Sequence, residues 1–376
     1  MRFLHSADIH LAPRLGYIED ATRRARRRED FCRQVDRLRE LVREHGAEAV
    51  VLAGDVFDRD LPGQPEAARL ASALAACTVP VLITPGTHDA WRPGGVWDRP
   101  WPSNVTVFRS DRWETVVVGQ TAFHGLASLG RAREGGLFAG LPEPPAGTRF
   151  EVGIAHASML WADITGKVDP KNLPFEESEL DSCGFHYLAL GDHHRTKVVV
   201  RGMTTAAYPG SPEGLAFDPA EAGPRHVLLV ELVEPSAPAK VTRVPVNARE
   251  VVLEEIALDD LQHESAGDLA EAVRRRLAAA AGPDRLARFD LTGVIHHPLA
   301  GDPAALGEAL ADQFFVLQLR DRTRTLPETP PNSNTIRGAF ERRLRARLET
   351  AVDGRERVLA ERAMALGLQS LEGLLP

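Results

Sequence analysis

The chain has 376 residues, of which 43% are hydrophobic and 26% are charged, and its formal net charge is -8 at pH 7. This length predicts a large catalytic unit with one or two smaller ones, and the composition suffices for a substantial core. A negative net charge is not typical of a nucleic-acid-binding protein. Any surface that binds nucleic acid must therefore be a local basic patch.

Two features of the sequence bear on location. No apolar run is long enough to span a membrane, and residues 1–5 are typical of a strand and not of a signal peptide. Cys32, Cys77 and Cys183 are widely spaced and form no CxxC pair. We expect them to be buried thiols of a protein in the reducing cytoplasm.

An apolar stretch that ends in a glycine and two carboxylates is the organising feature of the sequence. Residues 50–53 predict a buried strand, after which Gly54 lets the backbone turn. Asp55 and Asp58 follow at the carboxyl end of this strand, where open α/β sheets place their sites. The pattern is common on its own, so its meaning depends on how the other strands end.

The first predicted strand ends in a similar way. Residues 2–7 lead to Asp8 and His10, and in extended backbone residues i and i+2 point to the same side. A carboxylate and an imidazole at this spacing suit a metal ion. A hydrogen-bonded Asp–His pair without a metal is the alternative that this segment leaves open.

Three later apolar strands, predicted at 79–84, 150–155 and 187–190, also end in polar groups. By strand alternation, the first and third residues of the Asp-His-His segment project together, and His193 projects away, towards substrate or solvent. The candidate site residues after these strands are Thr87, His88 and Asp89, then His156, then Asp192 and His194.

Two segments near these strands have two interpretations each. The loop with Trp91, Trp97 and Trp101 either stacks on bases or covers a small core of its own. The helix predicted to begin at 23 and end at about 45 starts with a run of arginines. These arginines either bind phosphates or form a salt-bridged, solvated face, and the neighbouring acidic residues favour the second interpretation.

The remainder of the chain predicts a hairpin at 227–246 and then a change of organisation. From residue 251 the pattern alternates between strands and helices, which is typical of a compact α/β accessory domain. A Pro/Asn-rich linker follows at 326–334, and Asn334 or Ser333 is expected to cap an amphipathic helix. A last helix is predicted from Asp353. The predicted domains are residues 1–248, 249–325 and 326–376.

The five segments present polar residues in the order D-x-H, GDxxD, GxHD, H and GxxH. Over about residues 1–215 this constellation resembles the calcineurin-like metallophosphoesterases, and more narrowly the SbcD/YhaO type of DNA repair exonuclease. The resemblance implies an α/β fold, namely a four-layer β-sandwich flanked by helices, with a small α/β accessory domain and C-terminal helices.

The resemblance also implies a centre with two divalent cations, about 4 Å apart, that bind the phosphate and activate a bridging water. Mixed imidazole and carboxylate ligands favour manganese, with magnesium, iron and zinc as alternatives. His88 would protonate the leaving alkoxide, with Asp58 or Asp89 keeping it in place. The implied metal ligands are Asp8, His10, Asp55 and His194 for the first cation, and Asp55, Thr87, His156 and Asp192 for the second.

Two residues depart from the family pattern, and both belong to the second cation. The family has asparagine at the position of Thr87 and histidine at the position of Asp192. A threonine hydroxyl is a weaker neutral ligand than an amide oxygen, whereas aspartate adds a negative charge and a harder oxygen. We expect the second site to survive with a preference for Mn(II) or Mg(II).

The function that the resemblance implies is a metal-dependent DNA exonuclease or endonuclease that acts in repair with an SMC-like ABC ATPase, as a homodimer and without a membrane. A phosphodiesterase or phosphatase for small substrates is one alternative, although it has less need of the additional domain. A catalytically weakened DNA-binding scaffold is another, because of Thr87 and Asp192. The basic helix after Asn334 would meet either the ATPase or DNA.

Overall fold

The computed structural model describes residues 1–59, 64–161, 168–258, 265–295, 303–325, 334–350 and 354–371. The chain divides into two compact units: Met1–Val252 with Asp284–Leu286, and Leu253–Pro283 with Ala287–Pro376. Within the described ranges, we find no helix with the length and apolarity that crossing a bilayer requires.

The first unit is built mainly from strands. Its helices are α1 (Ala21–His45) and α2 (Gln64–Ala75). Its strands are β1 (Arg2–Ser6), β2 (Ala49–Ala53), β3 (Val81–Thr84), β4 (Val105–Val107), β5 (Glu114–Val118), β6 (Thr121–Leu126), β7 (Phe150–His156), β8 (Met159–Leu160), β9 (Phe175–Glu176), β10 (Tyr187–Gly191), β11 (Lys197–Arg201), β12 (Thr204–Tyr208), β13 (His226–Glu231) and β14 (Lys240–Pro245).

Two sheets dominate this unit, with strand orders β14-β13-β1-β2-β3-β4 and β11-β12-β10-β7-β6-β5. In the first sheet, β1 to β4 are parallel and the antiparallel strands β13 and β14 lie at one edge, whereas the second sheet has an antiparallel strand at each edge, β11 and β5. The register pairs Ser6 with Leu52, Ala53 with Thr84, and His156 with Gly191. The carboxyl ends of the central strands therefore lie side by side in each sheet.

The two sheets pack face to face around one apolar core. Phe3 of β1 makes edge-to-face contacts with Phe123 of β6 and Tyr187 of β10, with ring centroids 5.5 Å apart in both pairs. These side chains are fully buried, as are Val51 and Ile154 in the same cluster. The near-continuous apolar runs of the central strands are explained by burial on both faces.

Helix α1 covers the outer face of the first sheet, where it contacts β1 and β2. Asp20 caps its N-terminus by accepting a hydrogen bond from the Arg23 amide, and Gly46 ends it in left-handed geometry with a φ of 59°. We expected helices to flank the sandwich, but the outer face of the second sheet has a different cover. Its cover is β9 and short 3₁₀ turns, with Phe175 and Leu180 buried against it.

The second unit has a small sheet of three strands, in the order β15 (Glu250–Ala257), β16 (Gly282–Thr292) and β18 (Phe314–Asp321). Its buried side chains include Leu269, Val273, Phe289 and Phe314, and the last two rings are in edge-to-face contact with centroids 6.0 Å apart. Its elements are β15 (Glu250–Ala257), α3 (Ala266–Ala279), β16 (Gly282–Thr292), β17 (Val294–Ile295), α4 (Pro303–Leu310), β18 (Phe314–Asp321), β19 (Arg324–Thr325), α5 (Ile336–Glu349) and α6 (Gly354–Leu371).

The predicted alternation of strands and helices after residue 251 is confirmed. Helices α5 and α6 pack together, and Phe340 lies against Gly367. The cap of α5 is Thr335, whose hydroxyl accepts a hydrogen bond from the Gly338 amide, and not Asn334 as predicted. The other predicted cap, Ser333, lies outside the described residues, as do Asp353 and the linker at 326–333.

Candidate metal centre

The segment after β1 brings two predicted ligands to the end of β2. The Asp8 and His10 amides donate hydrogen bonds to the carbonyls of Gly54 and Asp55, at 3.1 and 3.0 Å. Both residues have a φ of 50°, so they are not in extended backbone. They share one side because the two segments are bonded together, and not because of the strand alternation that we predicted.

Asp55 lies at the centre of the cluster and is buried. One carboxylate oxygen accepts a hydrogen bond from the His88 amide at 2.8 Å. The other lies 3.3 Å from His156 Nε2 and 3.9 Å from His10 Nε2. Burial opposes ionisation of Asp55, but the neighbouring imidazole of His156 holds the pKa of this carboxyl well below its usual range. The Asp55 carboxylate therefore lies between His156 and His10.

His156 is oriented by the main chain of β2. Its Nδ1–H donates to the Ala53 carbonyl at 3.1 Å, which leaves Nε2 directed at Asp55 and, at 3.8 Å, at Asp192. Burial lowers the pKa of His156, but these carboxylates outweigh burial and raise it well above the usual value. A hydrogen bond of this kind fixes the tautomer of a metal-binding histidine.

His194 is oriented in the same manner by Glu221, to which its Nδ1–H donates. Glu221 also accepts hydrogen bonds from the Ser211 hydroxyl at 2.8 Å and the Leu215 amide at 3.3 Å. Burial lowers the pKa of His194, but the Glu221 carboxylate overcomes this and raises it to about 9. We did not predict Glu221 from the sequence, since it follows no strand end.

Asp192 is held by its backbone amide and by both oxygens of its carboxylate. Its amide donates to Asp8 at 3.0 Å, and its carboxylate accepts hydrogen bonds from the Ser158 hydroxyl and from Asn172 Nδ2, the latter at 3.0 Å. Its φ is 106°, so the predicted strand alternation does not apply here either. His193 nevertheless projects away, and stacks between Trp161 and Tyr208 with centroid distances of 4.4 and 4.7 Å.

The loop after β3 presents His88 at the exposed rim of the site. Its Nδ1–H donates to the Asp58 backbone carbonyl at 3.2 Å, so Asp58 orients His88 through its main chain. The Asp58 carboxylate instead lies 3.5 Å from His10 Nδ1.

Asp89 does not contact the His88 ring in the way that we predicted. Its carboxylate accepts hydrogen bonds from the amides of Gly86, at 2.7 Å, and Phe57, at 3.0 Å. Burial, followed by the nearby Asp55 carboxylate, raises the pKa of Asp89 to about 6. Asp89 therefore joins the two loops and is buried beneath the site.

These residues surround an open pocket of about 380 Å³. The sequence predicted most of its lining but missed Lys171 and Asn172, which belong to a short 3₁₀ turn with no strand end to mark it. All of the lining side chains are polar. They are Asp55, Thr87, His88, Lys171, Asn172, Asp192 and His194.

The donor set fits divalent cations. Both ring nitrogens of His10 and the Nε2 of His156 are buried without a hydrogen-bond partner among the described residues. Such bare nitrogens beside carboxylates are costly unless a cation binds them. Three groups have ligand atoms within 4.8 Å of one another: Asp8, His10 and His194; His10, Asp55 and His88; and Asp8, Asp55 and His156.

The segments with two interpretations make structural contacts within the first unit. Trp97 is fully buried and packs on Phe57 and Trp101, so the tryptophan loop covers a core of its own. In α1, Arg27 is buried and pairs with Glu213 at 2.6 Å. The three cysteines are free thiols, two of them buried.

The chain was compared with known proteins. It is 26% identical to the uncharacterized metallophosphoesterase YhaO of Bacillus subtilis over 274 residues. This alignment covers 69% of this chain and 63% of YhaO. It is 28% identical over 320 residues to the DNA double-strand break repair protein Mre11 of Haloferax volcanii, which is 84% of this chain and 65% of that protein. The chain thus spans less than two thirds of the length of these relatives.

Among solved structures, a dimetal phosphatase from Danio rerio aligns with a TM-score of 0.41 and 11% identity, over 66% of this chain and 98% of that one. A model of the calcineurin-like phosphoesterase family matches residues 1–202, which is more than half of the chain and includes every predicted ligand from Asp8 to His194. The chain therefore belongs to the calcineurin-like phosphoesterase family.

Proposed function

We propose that this protein hydrolyses phosphodiester bonds of DNA at a centre that binds two divalent cations. The observation that supports this most is the grouping of buried carboxylates with the bare imidazole nitrogens of His10 and His156. Two bound cations would supply a water of lowered pKa and would stabilise the attacking and leaving oxygens.

The residues divide into two sets around Asp55. Asp8, His10 and His194 would bind the first cation, and His156 and Asp192 the second, with Thr87 beside it. Asp55 would be shared, because its Oδ2 lies 3.9 Å from His10 Nε2 of the first set and 3.3 Å from His156 Nε2 of the second. The mixture of carboxylate and imidazole ligands favours Mn(II).

His88 would act as the general acid. It is exposed at the pocket rim, and its Nδ1–H is engaged by the Asp58 carbonyl, which leaves Nε2 for the leaving oxygen. Asp58 and Asp89 would support the site from below, Asp58 next to His10 and Asp89 by joining the loops.

The polar lining of the pocket favours a polymeric substrate. Sites for small organic molecules are usually lined by apolar and aromatic side chains, with a few polar groups. Here the described lining is polar throughout, so binding would depend on the phosphodiester itself. The name of the relative from Haloferax volcanii, a DNA double-strand break repair protein, supports DNA as the polymer.

We also propose that helices α5 and α6 bind a partner, such as the SMC-like ABC ATPase that the family resemblance implies. Four large apolar side chains of this helical pair are exposed, namely Ile336, Leu359, Leu366 and Leu371, and they are available for contact with a partner. We also propose, from the same family resemblance, that the protein forms a homodimer and acts in DNA repair.

A DNA-binding scaffold without efficient catalysis is the second candidate. The observation in its favour is that Thr87 and Asp192 replace the usual ligands of the second cation. The buried, unpartnered nitrogens of His10 and His156 oppose it, because a purely structural protein gains nothing from them.

The test is cleavage, with Mn(II), of a labelled DNA duplex and of bis-nitrophenyl phosphate. We expect wild type to cut both, and His88→Ala to lose about 10²–10⁴-fold of the activity on DNA, as loss of a general acid does. His45→Ala, at the end of α1, is the matched control. Cleavage of neither substrate would favour the scaffold, and cleavage of the small ester alone would refute DNA as substrate.

A further inference from the structure

Asn172 lies beside the residues proposed for the second cation, and it is not part of the family's ligand pattern. Asn172 ends the 3₁₀ turn Pro170–Asn172 and lines the pocket with Asp55, Thr87 and Asp192. Its main chain is fixed on both sides: its amide donates to the Asp169 carbonyl at 2.9 Å, and its carbonyl accepts from the Ser158 amide at 2.8 Å. These two hydrogen bonds hold the Cα atom of Asn172, and therefore the base of its side chain, in a defined position.

The chemistry of its neighbour determines how the Asn172 amide is oriented. Asp192 Oδ1 lies 3.0 Å from Nδ2, and an ionised carboxylate only accepts hydrogen bonds, so the NH₂ group must face it. The amide oxygen then faces away from Asp192 Oδ1. This oxygen is buried and has no hydrogen-bond partner among the described residues.

Burial of an amide oxygen without a hydrogen-bond partner is unfavourable, which indicates that this atom binds a group from solution. The pocket wall around it presents further acceptors, the carboxylates of Asp55 and Asp192. Several oxygens at one place, together with the bare Nε2 of His156, are a better match to a cation than to another donor.

We propose that Asn172 supplies an amide oxygen ligand to the second cation, and that its NH₂ group keeps Asp192 in place as a neighbouring ligand. The proposal rests on the two-cation centre proposed above. A site of carboxylate and amide oxygens with one imidazole selects hard cations such as Mn(II) and Mg(II). Asn172 would thereby supply the amide oxygen ligand that the family has at the position of Thr87, whose hydroxyl is a weaker ligand.

The experiment is a calorimetric titration of metal-free protein with Mn(II), which does not depend on activity. Wild type should bind two ions. Asn172→Ala should bind the second ion about 10–100-fold more weakly, as loss of metal-site residues does, and should leave the first nearly unchanged. His45→Ala, at the end of α1 and outside the pocket lining, is the control and should match wild type.

Asn172→Asp separates a ligand from a mere hydrogen-bond donor, since it keeps an oxygen and loses the NH₂ group. We expect it to retain two Mn(II) ions, and circular dichroism without metal should show that all variants are folded. Full affinity for both ions in Asn172→Ala would overturn the proposal. Loss of the second ion in both variants would overturn the ligand role. Wild type that binds two ions but does not cut DNA would refute the substrate alone.

Discussion

Glu221 raises the pKa of His194, which we propose as a ligand of the first cation. Its carboxylate accepts the Nδ1–H of His194 and is itself held by the Ser211 hydroxyl. In the metal-free protein the imidazole, with a pKa of about 9, binds a proton at neutral pH. A cation has to displace this proton, so metal binding should release protons to solution.

Glu221→Gln should weaken the first cation by about 10–100-fold, because a neutral amide orients and polarises His194 less well than a carboxylate. Calorimetric titration with Mn(II) measures this change. Glu231→Gln is the control, since Glu231 pairs with Arg2 and Lys240 at the surface. An unchanged first binding constant in Glu221→Gln would show that the contact is only structural.

The stability of metal-free protein should fall between pH 6.5 and about 9. The folded pKa of His194 exceeds its ordinary value, so the folded state binds more protons; the contribution is complete below pH 6.5 and lost as pH rises through about 9. At 1.36 kcal/mol per pKa unit, the shift from 6.5 to about 9 corresponds to a loss of about 3 kcal/mol. Urea unfolding in chelator measures it, and a flat profile across this range would contradict the assignment.

Asp89 has a structural role, so its replacement should lower the free energy of unfolding. In Asp89→Asn only one amide oxygen remains for the Gly86 and Phe57 amides, so one buried donor loses its acceptor. We expect a loss of about 1–3 kcal/mol in urea unfolding at pH 8. Asp98→Asn, whose carboxylate accepts from an exposed amide, should cost less than about 0.5 kcal/mol. Equal effects would refute this role of Asp89.

At the level of strands, the sequence predicted which residues lie close together, because parallel strands end at a common edge. Asp55, His156 and Asp192 were found in this way. The reasoning about side-chain alternation was wrong in detail, since Asp8, His10 and Asp192 all have positive φ. Glu221 and Asn172 could not be predicted, because they come from segments with no periodic pattern and meet the site only through the fold.

Gly191 permits the ends of β10 and β2 to approach closely. A Cβ at this residue would lie 2.0 Å from the Ala53 carbonyl oxygen and 2.8 Å from His156 Nδ1. Gly191→Ala should therefore lower stability by about 1–3 kcal/mol and weaken Mn(II) binding, because His156 is displaced. Thermal unfolding with and without Mn(II) tests both. Gly16→Ala, which has open space, is the control, and equal behaviour of the two variants would contradict this explanation.

At the scale of the whole first unit, the site exists only where the two sheets meet. Asp8, His10 and Asp55 follow strands of one sheet, whereas His156 and Asp192 come from the other. No single sheet has a complete set of ligands. Asp55 links the two groups, which is why the stretch around residues 50–58 organises both the sequence and the fold.

The most direct test of the two-cation centre is to count Mn(II) ions per chain by elemental analysis after loading and dialysis, in wild type and in Asp55→Asn. Asparagine keeps an acceptor for the His88 amide, so the loop should stay in place. We predict two ions in wild type and close to none in Asp55→Asn, because the shared ligand is lost. A single ion in wild type, or two retained in the variant, would contradict the account.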